Sequence, residues 1–64
     1  MLKTNANKLL RAMANAAMTS AELREKSGVG GNTISKIMNN DTTVRPAIIG
    51  KLAKALNVTV EELL

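Results

Sequence analysis

The chain has 64 residues, enough for one core, and its nine Lys and Arg against five Asp and Glu leave a net charge of +4. It contains no Cys, no His and no aromatic residue, so it lacks disulfides, the side chains that most often hold zinc, and the usual proton shuttle at neutral pH. An enzyme is therefore not expected, and neither are a catalytic residue, a metal site, a cofactor or a small-molecule ligand.

Apolar runs are only a few residues long, too short to span a bilayer. The opening Met1-Leu2-Lys3-Thr4-Asn5 lacks the basic-then-apolar layout of a secretory signal. A cytoplasmic protein without membrane association is the expectation. The positive surplus suits a polyanion, and the basic residues are scattered rather than gathered into a membrane-binding block.

Ala, Leu, Lys and Met are plentiful and strand formers are sparse, which predicts an all-helical chain. The first helix starts at Thr4 or Asn5 and runs to about Ala17, with Leu9, Ala12, Met13 and Ala16 on its inner face. Thr19-Ser20-Ala21-Glu22 has the form of a capping box and opens a second helix of about two turns, stopped at Gly28. The third helix runs from about Gly31 to Met38, with Ile34, Ile37 and Met38 as its apolar positions. Its first half, Gly31-Asn32-Thr33-Ile34-Ser35, has no strong helix former. Asn40 is a candidate left-handed C′ residue. Asp41 to Arg45 reads as a polar loop. Pro46 fits the first turn of a fourth helix carrying Ile48, Ile49, Leu52, Ala53 and Leu56 and ending at Asn57. Thr59-Val60-Glu61-Glu62 repeats the capping-box pattern and predicts a short fifth helix.

A short helix, a turn of about four residues with Gly, and a second short helix make a helix-turn-helix. Leu23, Gly28, Val29, Ile34 and Ile37 stand at the spacing that motif needs for its inward face and its turn. Thr19 to Met38 resembles the helix-turn-helix of the lambdoid phage repressor and Cro family, the XRE type. Arg45-Pro46, Ile49, Leu52-Ala53 and the run Ala55 to Leu63 are similar to that family's fourth and fifth helices. The likeness covers nearly the whole chain, 1–64, as a single compact five-helix DNA-binding domain. Three positions depart from the family pattern. Arg24 stands where a small residue is usual at the helix crossing. Met13 and Met38 occupy the places of an Arg–Glu ion pair, an exchange that need not cost stability because no charge is desolvated. Asn39-Asn40 replaces Asn-Gly.

The resemblance implies sequence-specific binding to double-stranded DNA as a transcriptional regulator, of the phage repressor or Cro kind. The third helix would enter the major groove and present Gly31, Asn32, Thr33, Ser35 and Lys36 to the bases. An Asn amide matches both hydrogen-bonding groups of adenine, and Lys donates to guanine. Asn32 and Lys36, four apart, are expected on one helix face. Thr19, Ser20, Asn39 and Arg45 take the phosphate-contacting places. Lys51 and Lys54 read as a solvated face, and Met13, Met18 and Met38 as core. The family binds as two-fold dimers, which points to a homodimer through Asn57, Val58 and Val60. The competing reading is a protein-interaction module of the same fold, such as an antitoxin domain; Gly30-Gly31, where base-reading side chains often stand, favours it.

Overall fold

A computed structural model describes residues 2–39 and 42–64. Four α-helices carry the fold: α1 (Ala6–Asn15), α2 (Ser20–Ser27), α3 (Gly31–Asn39) and α4 (Pro46–Leu56). Leu2–Lys3 (β1) and Thr43–Val44 (β2) pair antiparallel, Leu2 opposite Val44 and Lys3 opposite Thr43. Val60–Leu63 closes the chain as a turn of 3-10 helix.

Asn5, not Thr4, caps α1: its side chain accepts the Lys8 N–H at 3.2 Å. Thr4 is buried instead, and its hydroxyl donates to the Thr42 carbonyl at 2.7 Å and accepts the Thr42 N–H at 3.2 Å. That pairing continues the two-stranded ladder and satisfies a polar side chain that burial would otherwise penalise. The predicted polar loop of residues 41–45 is thus corrected for its described part. It contains β2, and Val44 joins the core. The alternation of Leu2-Lys3 with Thr43-Val44 is too short to register as strand in the sequence, so the all-helical expectation gives way to a mostly helical one. Asp41 and the C′ residue Asn40 lie outside the described residues.

α1 ends at Asn15, two residues earlier than expected, and Ala16 is exposed rather than inward. The Ala17 N–H bonds to the Ala14 carbonyl and the Met18 N–H to that of Met13, the two reversed bonds of a Schellman motif. This places Ala17 in the left-handed region at φ 52°. α4 ends the same way: Asn57 sits at φ 57°, and Val58 bonds back to the Ala53 carbonyl. In both motifs the next residue, Met18 or Val58, packs half-buried on the core. Pro46 opens α4 as predicted, and Arg45 before it takes the extended backbone that a following proline imposes.

The predicted fifth helix is corrected to the single 3-10 turn. Thr59 makes no side-chain cap, so the second capping-box pattern does not close. The turn is held from elsewhere. Leu63 is buried, and its carbonyl accepts the Asn5 N–H at 3.2 Å, tying the turn to the start of α1.

One cluster joins Leu9, Ala12, Met13, Leu23, Val29, Ile34, Ile37, Val44, Ile49, Leu52, Ala53, Leu56 and Leu63, with Met18, Met38 and Ile48 partly buried against it. α1 and α3 pack together, which brings the helices bearing Met13 and Met38 face to face within this cluster. α2 lies against both α3 and α4.

Ala17 in the left-handed region carries a steric cost that Gly would not. Ala17→Gly is expected to raise stability by about 1 kcal/mol, read as a higher midpoint in urea with an unchanged slope.

Candidate nucleic-acid interface

The motif is built by local hydrogen bonds at its entrance and its turn. Thr19 accepts the Glu22 N–H at 3.2 Å, and the Glu22 carboxylate accepts both the Thr19 N–H and the Thr19 hydroxyl at 3.1 Å each. The box satisfies two of the amides that a helix start leaves open. At the other end Gly28 takes φ 73°, and its N–H returns to the Arg24 carbonyl. The Ser27 hydroxyl donates to the Leu23 carbonyl at 2.6 Å and accepts the Val29 N–H at 3.1 Å, so one side chain spans the turn. Gly28 and Ser27 thereby turn the chain while Val29 covers the core.

α3 starts on the Gly30 carbonyl, which accepts the N–H groups of Thr33 and Ile34. Its sequence would not form a stable helix alone. It is held by Ile34 and Ile37, 2% and 1% exposed. With those two inward, Asn32, Ser35, Lys36 and Asn39 are exposed and Gly31 and Thr33 half-buried.

Two shallow clefts flank this face. One, of about 350 Å³, lies between α2 and α3 and includes Ser20, Arg24, Gly31, Asn32 and Ser35. The other, of about 340 Å³, lies between α3 and the start of α4 and includes Thr33, Lys36, Thr43 and Arg45. Asn32 and Lys36, expected on one face, line different clefts. A helix turns about 100° per residue, so Ser35 falls to one side of Asn32 and Lys36 to the other.

Of the four predicted phosphate contacts, Ser20 and Arg45 are exposed at the starts of α2 and α4, and Asn39 is exposed at the end of α3. Thr19 is exposed too, but its N–H and its hydroxyl proton are both engaged by Glu22. Asn57 is exposed, whereas Val58 and Val60 are half-buried against the core at the opposite end of α4 from Arg45.

Arg24, in sequence a departure at the helix crossing and not one of the predicted site residues, stands beside the site in the fold. Its stem does not force α2 and α3 apart; it leaves over Gly31 into the first cleft. The signal in the sequence is the coincidence of a long residue at the crossing with a glycine seven positions later, and only the folded turn brings the two together.

A cored helix pair with a glycine turn, an uncommitted polar face on the second helix and cationic clefts on either side define a helix-turn-helix DNA-binding protein. Residues 8–64 match the family model of the Cro/C1-type helix-turn-helix DNA-binding domain, and the chain belongs to that family. The matched model is that of a DNA-binding domain. Among solved structures it resembles the restriction-modification controller protein C.AhdI from Aeromonas hydrophila, with TM-score 0.82 and 22% identity over 92% of this chain and 89% of that one. It also resembles part of 2-hydroxyethylphosphonate dioxygenase, with TM-score 0.83 and 24% identity over 94% of this chain but 14% of that one. At these identities both likenesses are of fold. No curated protein sequence matches the chain. No helix among the described residues is long and apolar enough to cross a membrane.

Thr19→Ala removes the hydroxyl that caps α2. A loss of about 1 kcal/mol in chemical denaturation is expected, with Thr19→Ser retaining most of the stability.

Proposed function

We propose that the chain is a repressor of the Cro kind that binds its operator as a two-fold homodimer, α3 of each protomer lying in the major groove. Gly31, Asn32, Thr33, Ser35 and Lys36 meet base edges, and Ser20, Asn39 and Arg45 meet phosphates. Thr19 contributes chiefly by fixing the start of α2, because its donors are engaged within the capping box. Asn57, Val58 and Val60 form the dimer contact. The chain is a single binding domain acting in the cytoplasm, where its DNA partner is, and not an enzyme. The observation that carries this reading is the outward face of α3: polar, exposed at Asn32, Ser35 and Lys36, and flanked by clefts that hold Arg24 on one side and Lys36 with Arg45 on the other. Among the described residues none of these cations has an ion-pair partner. The antitoxin-like reading loses its support at Gly31, where the missing side chain makes room for Arg24.

Binding by phosphate neutralisation depends on salt. If Arg45, Lys36 and neighbouring cations neutralise about four to six phosphates per half-site, log affinity should fall against log salt with a slope of about −4 to −5 per half-site. Arg45→Ala should weaken all duplexes alike and flatten that slope by about one. Affinity indifferent to salt would contradict the reading.

Base reading is tested separately. Asn32→Ala is expected to lose about 1–3 kcal/mol on the preferred duplex and little on random DNA, with preference relaxed at one A·T pair per half-site. Titrations against all four bases at each half-site position measure it. Retention of the full wild-type preference would remove Asn32 from the reading row.

A further inference from the structure

We infer that Arg24 is a base-reading residue whose guanidinium, carried across Gly31 to the start of α3, recognises guanine in the major groove; this rests on the DNA-binding reading above and extends it.

Arg24 belongs to α2, next to the fully buried Leu23, yet its side chain runs toward α3. A Cβ added to Gly31 would lie 3.3 Å from Arg24 Cδ and 3.5 Å from Nη1. A side chain at position 31 would require the stem to shift by a few tenths of an ångström, so glycine there lets the arginine lie closely over the start of α3. Gly30 shows no such reason: a Cβ built on it meets nothing within 4 Å, and its φ is not in the left-handed range. The two adjacent glycines therefore differ in what they do.

Among the described residues no carboxylate and no carbonyl pairs with the Arg24 guanidinium. The acids of its own helix face elsewhere: Glu22 is engaged with Thr19, and Glu22 and Glu25 both border a different hollow with Ala16 and Met18. Its reach brings a cation to the N-terminal end of α3, the positive end of that helix dipole, where the charge does not serve the stability of α3.

Its surroundings are those of the reading face. It lines the cleft that also holds Ser20, Asn32 and Ser35. Gly31, Asn32, Thr33 and Ser35 have no side chain or a short one, so Arg24 supplies long reach on that side of α3, as Lys36 does on the other. The planar fork of arginine matches the O6 and N7 acceptors of guanine with two parallel hydrogen bonds, which a lysine ammonium does not reproduce. An arginine from α2 thus takes the place of a base-reading side chain at the first position of the recognition helix.

The test starts from duplexes selected by the unmutated chain from a random pool, followed by titrations with each base replaced in turn. Arg24→Ala and Arg24→Lys should each lose about tenfold or more of the discrimination at one G·C pair per half-site, with the other positions unchanged. Gly31→Ala should produce a loss at the same pair, and the double variant Arg24→Ala/Gly31→Ala should lose no more there than Arg24→Ala alone. Thermal unfolding of Arg24→Ala close to that of the unmutated chain accompanies this result. A uniform weakening on every duplex, restored by Arg24→Lys, would overturn base reading in favour of a phosphate contact. Unchanged preference in Arg24→Ala would overturn it outright, as would a loss of preference that merely follows unfolding. Absence of any preferred duplex for the unmutated chain would instead contradict the parent reading, and that failure is visible before any substitution is made.

Discussion

Burial of Ile34 and Ile37 in the cluster that also holds Leu23, Val29 and Leu52 is the interaction from which the interface follows. Gly31, Asn32, Thr33 and Ser35 are poor helix formers, so α3 owes its helicity to its two inward isoleucines and not to its own propensity. The arrangement frees the outer positions from any duty to the fold. They can be chosen for what they touch, and the same two contacts that make the helix also fix its rotation. Asn32 and Ser35 are turned toward α2, and Thr33 and Lys36 toward α4, because the isoleucines three apart point between them.

A core without aromatic rings has to be enclosed by short aliphatic side chains, and the ends of the helices show how. Two Schellman motifs, at Ala17 and Asn57, drop Met18 and Val58 onto the cluster where the chain reverses. The two-stranded ladder and the buried Thr4 bring Val44 in from the segment that follows the recognition helix. The Asn5–Leu63 hydrogen bond brings the last turn back against α1. Each device adds an apolar residue to a small core, partly buried at Met18 and Val58 and buried at Val44 and Leu63, and leaves backbone groups hydrogen-bonded.

The parts legible in the sequence are those governed by neighbours a few residues apart. The Thr19–Glu22 box, the Gly28 turn, Pro46 and the Ile34–Ile37 spacing are local chemistry, and they fall where expected. What escaped needs partners distant along the chain. Leu2 meets Val44, Thr4 meets Thr42, and Asn5 meets Leu63, so neither the strands nor the shortened last turn has a local pattern. Thr59-Val60-Glu61-Glu62 has the same letters as a capping box but only one turn of helix to cap, and the Thr59 side chain makes no cap. The reading face was legible as a list of residues and not as a shape. The division of those residues between two clefts, and the entry of Arg24 into one of them, depend on how α2 crosses α3.

The most direct measurement is the set of backbone amide shifts in the isotope-labelled chain as a selected duplex is added. Residues Ser20, Gly31, Asn32, Ser35 and Lys36 should move together and saturate at one duplex per dimer, while Lys51 and Lys54, which border a separate hollow with Lys26 and Ser27, stay in place. Shifts confined to the Val58–Leu64 end, with α3 unmoved, would contradict a DNA-reading face on α3.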